Sequence, residues 1–219
     1  MTLISDPAAL AGMVTREVRT GSRDGKPTRI AVARRTYPTD QGDLWDALTD
    51  AERIPRWFLP ISGELAEGGR YQLEGQAGGV VERCDAPKVF AITWEFAGQV
   101  SWVKVSLSPS GDDTELELEH EMPVDPQFWG QFGPGAVGVG WDLALLGLAA
   151  HIATGEPVDP DVGRTLHKTP EGKDFIRRAA TSWAEAAMAD GDDPDAARAA
   201  ADATFAFYTV EPEDTPESR

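Results

Sequence analysis

The chain has 219 residues, of which 37 are acidic and 20 are basic, and its formal net charge is −17. A charge of this sign repels phosphate backbones and anionic lipid headgroups, so neither nucleic-acid binding nor docking on a membrane is expected. Cys84 is the single cysteine, which rules out an intramolecular disulfide and favours a reducing compartment. The start of the sequence shows no basic segment followed by an apolar run, so we expect a cytoplasmic protein.

The first part of the chain predicts an extension, a strand and two short helices. Residues 1–26 are expected to form an N-terminal extension, loosely ordered, with a short strand inside it. Residues 28–37 are rich in β-branched and aromatic side chains, which favour a strand. Asp40 is placed to cap a helix over residues 41–49, and a second short helix should end near Trp57.

Further strand-like segments follow, separated by short turns, and their order predicts an antiparallel meander. They are residues 61–65, 69–75, 78–84, 89–96, 100–107 and 114–122. The last segment alternates most clearly, with Leu116, Leu118 and His120 on one face and glutamates on the other. The sheet should therefore have one covered face and one solvent-facing face, and Arg35 is expected at the surface.

The segment that can cover the sheet is residues 135–154, which predicts a helix of about five turns. Its most apolar part, 136–150, is too short for a membrane span and carries Asp142, so we expect a buried helix. Residues 133–138 also match the dinucleotide pattern GxGxxG, but the residues before them do not form the strand that such a site requires. Small residues at a contact between helix and sheet explain these glycines better.

The last part of the chain predicts a helical addition. Residues 156–168 are expected to be a linker, because they carry several prolines and aspartates. Two helices, each starting after a Thr-Pro or Asp-Pro pair, should form a hairpin over 169–209. We expect this hairpin to be an appendage on a main domain of residues 27–155. Residues 210–219 are acidic and predicted to be disordered.

The residue types that carry chemistry are sparse. Three histidines and one cysteine are present, and none of their spacings suits a metal site, so neither a metal nor another cofactor is expected. No catalytic residue is assigned, because the sequence shows neither a nucleophile elbow nor a phosphate-binding loop. His120, predicted among apolar neighbours on the covered face, is a candidate acid, base or ligand-orienting group. The alternative is a structural histidine held by hydrogen bonds.

Aromatic side chains are numerous enough to line an apolar cavity between the sheet and helix 135–154. Ordinary core packing is the alternative for each of them taken singly. The residues predicted to line a ligand site are Trp57, Phe58, Tyr71, Leu73, Trp94, Phe96, Val105, His120, Trp141 and Leu145.

The order of these elements, together with several sequence segments, resembles the START-like superfamily, also called SRPBCC. The segments are DLWDALTDAERIPRWF (43–58), GGRYQLEG (68–75), VFAITWEF (89–96) and LELEHEMP (116–123). Within that superfamily they most resemble the branch named for activators of the Hsp90 ATPase. The segment GPGAVGVGWDLALLGLAAH (133–151) is similar to a bacterial subgroup of the branch. The resemblance covers roughly residues 28–155.

The resemblance implies an α+β helix-grip fold, in which a curved antiparallel sheet wraps around a long C-terminal helix, here followed by the helical hairpin. It also implies a hydrophobic small molecule between sheet and helix. Relatives include cyclases, aromatases, carriers and a chaperone activator, so fold alone does not decide the function. Three functions stay open: an apolar-ligand-binding protein, a polyketide cyclase-like or aromatase-like enzyme with His120 as acid or base, and a protein-interaction or chaperone-regulating module. The sequence also leaves open whether two copies of the chain form a homodimer.

Overall fold

The computed structural model describes residues 6–210, so most of the predicted tail, 210–219, lies outside the described residues. The strands are β1 (Thr15–Arg23), β2 (Lys26–Tyr37), β3 (Ile61–Gly63), β4 (Arg70–Leu73), β5 (Gly78–Asp85), β6 (Val89–Phe96), β7 (Gln99–Ser110) and β8 (Asp113–Pro123). The helices are α1 (Pro7–Gly12), α2 (Gln41–Thr49), α3 (Pro126–Phe132), α4 (Gly135–Thr154), α5 (Pro160–Thr165), α6 (Pro170–Ala189) and α7 (Pro194–Thr209). Short 3-10 turns lie at Ile54–Arg56 and Leu166–Lys168.

The strands form one antiparallel sheet in the order β1-β2-β8-β7-β6-β5-β4-β3. The predicted α+β class and helix-grip arrangement are confirmed, with the curved sheet wrapped around α4. Strand β1 lies within the predicted N-terminal extension and pairs with β2 from end to end. The two strands are joined at Asp24 and Gly25, which both have positive φ angles. An Asp-Gly pair of this kind closes a two-residue hairpin with the twist that strands require.

The two faces of the sheet differ as predicted. Leu116, Leu118 and His120 of β8 are buried on the covered face, and the glutamates between them lie on the outer face. The outer face carries a network of ion pairs between strands. Its pairs across strands join Arg34 to Glu117 (2.6 Å), Arg19 to Glu119 (2.9 Å) and Arg23 to Glu121 (2.7 Å). Because these side chains remain partly exposed, each pair adds little stability singly.

Helix α4 lies between the sheet and the hairpin formed by α6 and α7, so both of its sides are covered. A Cβ atom added to Gly138 would lie 2.2 Å from a ring carbon of Trp183, and one added to Gly135 would lie 2.5 Å from the Thr204 hydroxyl. These glycines therefore allow close approach of the hairpin. The prediction that they serve a contact with the strands is wrong for both positions, because the sequence pattern does not show which partner a small residue faces.

Within residues 6–210, α4 is the one helix that is long and apolar enough to cross a membrane. More than half of this stretch is buried inside the protein, as expected for a core helix. A helix that is covered on two sides needs no polar stripe, which explains its even apolar character.

A buried carboxylate holds this helix in place. Asp142 of α4 has no exposed surface, and its Oδ2 accepts hydrogen bonds from Arg16 Nε (3.1 Å) and Trp183 Nε1 (2.9 Å). Arg16 also donates to the carbonyl groups of Ala11 and Val14. Burial raises the pKa of Asp142, and the guanidinium of Arg16 opposes that rise. The carboxylate thereby ties together β1, α4 and α6.

The hairpin, expected as an appendage, contributes to the central core. Phe175, Ile176 and Trp183 of α6 are buried in the same hydrophobic cluster as residues of the sheet and of α4. The stretch 156–168, predicted as a linker, contains α5 and a 3-10 turn. The amide of Val158 within it donates to the Arg56 carbonyl. The local sequence pattern shows neither the packing of α6 in the core nor the hydrogen bond between Val158 and Arg56.

Arg35 is buried, which corrects the prediction of a surface position. Only 6% of the residue is exposed, and it lies on the covered face of β2. Its guanidinium carbon is 5.4 Å from the ring centroid of buried Tyr37, and Nη2 donates to the sulfur of Met13 at 3.6 Å. The prediction followed the general rule that arginine is rarely buried. The alternation of the strand, which places Arg35 on the covered face, is the rule that holds here.

We expect Gly138→Ala to destabilise the protein by about 1–3 kcal/mol, because the added methyl group collides with the buried Trp183 ring. Gly130→Ala is the matched control, since a Cβ there meets nothing within 4 Å. Alanine in that helix should be neutral or stabilise by up to about 1 kcal/mol. Urea denaturation of the two variants measures both effects. Equal stability of the two variants would contradict the proposed packing of α4 against α6.

Candidate functional site

An apolar cavity of about 120 Å³ lies between the covered face of the sheet and α4. The end of α2, the 3-10 turn at Ile54–Arg56 and the residues after it close one side. The volume is comparable to that of an engineered protein cavity of roughly 150 Å³ that binds benzene. The space is therefore of about the size that one aromatic ring needs.

Aromatic rings form much of the wall. The ring centroids of Trp57 and Phe58 are 5.4 Å apart, and those of Phe58 and Trp141 are 6.5 Å apart, both in stacked orientations. Trp94 meets Trp141 edge to face at 5.0 Å. Such contacts add roughly 0.5–1.5 kcal/mol to each pair and fix the ring planes. The wall is therefore a rigid aromatic surface.

The structure places most of the predicted lining residues at the cavity. Those in the wall are Trp57, Phe58, Tyr71, Leu73, Trp94, Val105, Trp141 and Leu145. Phe96 is outside it and 49% exposed, because it lies at the last position of β6, beyond the part that α4 covers. His120 is also outside it, buried behind Trp141 and Trp94. Whether these residues bind a ligand stays a prediction.

Cys84 is a wall residue that sequence reasoning did not indicate. Strict alternation from Val81 would place Arg83 on the cavity side. The ladder between β5 and β6 is irregular at this point, and Cys84 pairs with Phe90, another wall residue. A bulge shifts the alternation of a strand by one position, and its presence could not be read from the sequence. The thiol therefore lies at the cavity and is exposed to solvent.

His120 is held by a chain of hydrogen bonds. Trp141 Nε1–H donates to His120 Nδ1 at 2.9 Å, and His120 Nε2 lies 2.7 Å from Ser101 Oγ. Because Nδ1 accepts, the neutral ring carries its proton on Nε2 and donates it to the serine. Ser101 Oγ in turn donates to the Trp94 carbonyl at 3.2 Å. Both ring nitrogens are therefore engaged by the protein.

The environment keeps this imidazole neutral. His120 is only 3% exposed, and burial lowers its pKa to about 3. A group that stays neutral and has no free lone pair cannot take a proton from a molecule in the cavity. The geometry thus favours the structural alternative for His120.

The polar groups of Tyr71 and Trp57 in the wall are also hydrogen-bonded within the protein. The Tyr71 hydroxyl donates to the Thr93 carbonyl (2.8 Å), and burial raises the pKa of this phenol. The indole N–H of Trp57 donates to the Ala47 carbonyl at 2.8 Å, away from the ring faces. The interior therefore favours an uncharged molecule with few polar atoms.

The side of the cavity formed by the 3-10 turn is fastened to the end of α4. Arg53 Nε donates to His151 Nε2 (3.2 Å), and Arg53 Nη1 binds Asp43 (2.8 Å) and Asp46 (2.9 Å). Arg56 Nη2 donates to the Gly155 carbonyl at 2.6 Å. These contacts position Trp57 and Phe58 over the cavity.

Two other kinds of site find no support in the geometry. Within residues 6–210, no group of three or more His, Cys, Asp or Glu side chains could hold a metal ion. The glycines of the GxGxxG match face Thr204 and the Trp183 ring at close range. No space for a dinucleotide remains at those two positions.

Comparison with known proteins points to one family. Residues 38–153 match the family described as activator of Hsp90 ATPase homolog 1-like protein. The crystal structure of CalU16 from Micromonospora echinospora is 30% identical, with a TM-score of 0.64 over 82% of this chain and 99% of CalU16. Its solution NMR structure is 31% identical, with a TM-score of 0.69 over 81% and 97%. No curated protein matches the chain.

A more distant structure shares the fold alone. Protein MLL2253 from Mesorhizobium loti is 23% identical, with a TM-score of 0.51 over 57% of this chain and 97% of its own length. The CalU16 alignments span a larger share of the chain than residues 38–153, so the likeness extends outside the family match.

We expect His120 to stay neutral down to about pH 4, because burial lowers its pKa to about 3. An unfolded histidine titrates near 6.5, so below that pH the unfolded state binds an extra proton. Stability should be fully present above pH 6.5 and fall on acidification by up to about 1.4 kcal/mol per pH unit. Nitrogen NMR of the ring and urea denaturation at several pH values measure both effects. A ring that becomes charged near pH 6 in the folded protein contradicts this assignment.

Proposed function

The chain belongs to the family of activator of Hsp90 ATPase homolog 1-like proteins, and from that premise we propose that it binds an uncharged, apolar small molecule in the cavity between the sheet and α4. The observation that carries the proposal is the aromatic wall, in which the polar atoms of Trp57, Tyr71 and Trp141 are hydrogen-bonded to protein partners. An apolar molecule that enters this space gives up few hydrogen bonds to water. Its binding is favoured by about 25 cal/mol for each Å² of apolar surface that is buried.

An acid–base enzyme is the weaker alternative. A polyketide cyclase-like or aromatase-like reaction at this site would need His120 to give or take a proton. His120 lies behind the wall, and both of its nitrogens are hydrogen-bonded to the protein. Binding without chemistry therefore agrees better with the geometry.

A protein-interaction role is a second candidate, and one observation favours it. Phe207 of α7 is 62% exposed and forms ring contacts with Phe132 and Tyr208. Exposed aromatic clusters of this kind occur at interaction surfaces. This surface is on α3 and α7 and is separate from the cavity, so the two roles do not exclude each other.

Filling the cavity tests the proposed function. Ala144 of α4 lines the cavity, so Ala144→Leu should occupy part of the space and weaken toluene binding at least tenfold. The control is Ala150→Leu, the same substitution on the same helix at a half-buried position outside the wall. Isothermal titration calorimetry with toluene measures the affinities. Absence of toluene binding to the wild-type protein, or equal loss in both variants, would argue against the cavity as a binding site.

Cys84 supplies an independent readout, because the single thiol is both exposed and part of the wall. Toluene in the cavity should slow the reaction of this thiol with a disulfide reagent in the wild-type protein and in Ala150→Leu. The rate in Ala144→Leu should change little with toluene. A thiol rate that does not respond to saturating toluene in the wild-type protein would place the bound molecule elsewhere.

A further inference from the structure

Trp141 differs from Trp57 and Tyr71 of the wall because its polar atom is hydrogen-bonded to a buried side chain and not to a backbone carbonyl. Its ring faces the cavity, while its indole N–H donates to His120 Nδ1 behind the wall. His120 of β8 is paired with Val103 of β7, and Ser101 lies two residues before Val103, on the same face of the sheet. The arrangement Trp141–His120–Ser101–Trp94 carbonyl thus runs along the outer side of the cavity wall.

We propose that His120 is a positioning residue that sets ligand specificity. It holds the Trp141 indole N–H away from the cavity, so that Trp141 presents a ring face and no hydrogen-bond donor to the ligand. The inference rests on the proposed function and narrows it: the ligand is an aromatic or aliphatic hydrocarbon group with no hydrogen-bond acceptor directed at Trp141. A molecule that carries such an acceptor loses its bond to water on entry and finds no donor there.

The direction of the hydrogen bonds means that His120 can only accept from Trp141 and cannot donate to it. Ser101 Oγ accepts a hydrogen bond from His120 Nε2–H, so Nδ1 is unprotonated and can only accept a hydrogen bond. Trp94 meets the His120 ring edge to face at 6.0 Å and limits its rotation. Because burial also disfavours the charged ring, the imidazole stays an acceptor for Trp141 at physiological pH. A residue that only filled space would not require this order of donors and acceptors.

The test compares two ligands of the same shape in three proteins. Toluene and 3-methylpyridine differ by one ring nitrogen, which is an acceptor and is uncharged at pH 8. The proteins are wild type, His120→Phe, which removes the acceptor for Trp141, and His120→Asn, whose carboxamide oxygen can replace Nδ1. Calorimetry gives the ratio of the two dissociation constants for each protein, and the ratio cancels changes that affect both ligands equally.

We expect His120→Phe to shift the ratio toward 3-methylpyridine by about two- to tenfold, the size of one hydrogen bond gained by the ligand. His120→Asn should keep the wild-type ratio. An unchanged ratio in His120→Phe, or an equal shift in both variants, overturns the inference while leaving toluene binding intact. If wild-type protein binds neither ligand, the proposed function fails instead.

A second variant covers the case in which His120→Phe does not fold. Ser101→Ala removes the acceptor of Nε2–H and lets the proton move to Nδ1, which then cannot accept from Trp141. Nitrogen NMR should show both tautomers, and the ratio should shift in the same direction by a smaller factor. Both tautomers present together with an unchanged ratio would overturn the inference, because Trp141 would then lose its acceptor without any effect on ligand preference.

Discussion

The buried ion pair between Asp142 and Arg16, completed by a hydrogen bond from Trp183, sets how the central helix packs. The carboxylate is the point where β1, α4 and α6 meet, through Arg16 on one side and Trp183 on the other. Losing one partner of a buried ion pair costs about 3–5 kcal/mol, because the other charge is left without compensation. The pair therefore acts as a restraint on how α4 is rotated about its axis, in addition to the apolar contacts that cover the helix.

That rotation determines the chemistry of the cavity. Gly138 and Asp142 are four residues apart and face the hairpin, whereas Trp141 and Leu145 are four residues apart and face the cavity. On a helix these are two adjacent stripes. Fixing the first stripe against α6 turns the second toward the sheet, where the indole N–H of Trp141 meets His120. Rotation of α4 about its axis would turn the Asp142 carboxylate or the Trp141 N–H toward the apolar cavity.

Sequence reasoning reached what depends on local pattern and failed where distant residues meet. The alternation of β8 and the apolar stretch of α4 predicted a sheet covered by a helix with aromatic residues between them, and the family resemblance supplied the helix-grip arrangement. Arg16 and Asp142 are 126 positions apart, and no period connects them, so the central ion pair and the burial of the hairpin were not predicted. Phe96 and Cys84 show a third limit: alternation gives a face only where the strand is covered and its ladder is regular.

One experiment decides whether the space between the sheet and α4 holds an apolar molecule. A crystal structure of the protein grown with bromobenzene, recorded at the bromine absorption edge, tests this most directly. We expect an anomalous peak inside the cavity, next to the rings of Trp57 and Trp141, with α4 unmoved. A cavity filled by its own side chains, or bromine bound only elsewhere on the molecule, would contradict it.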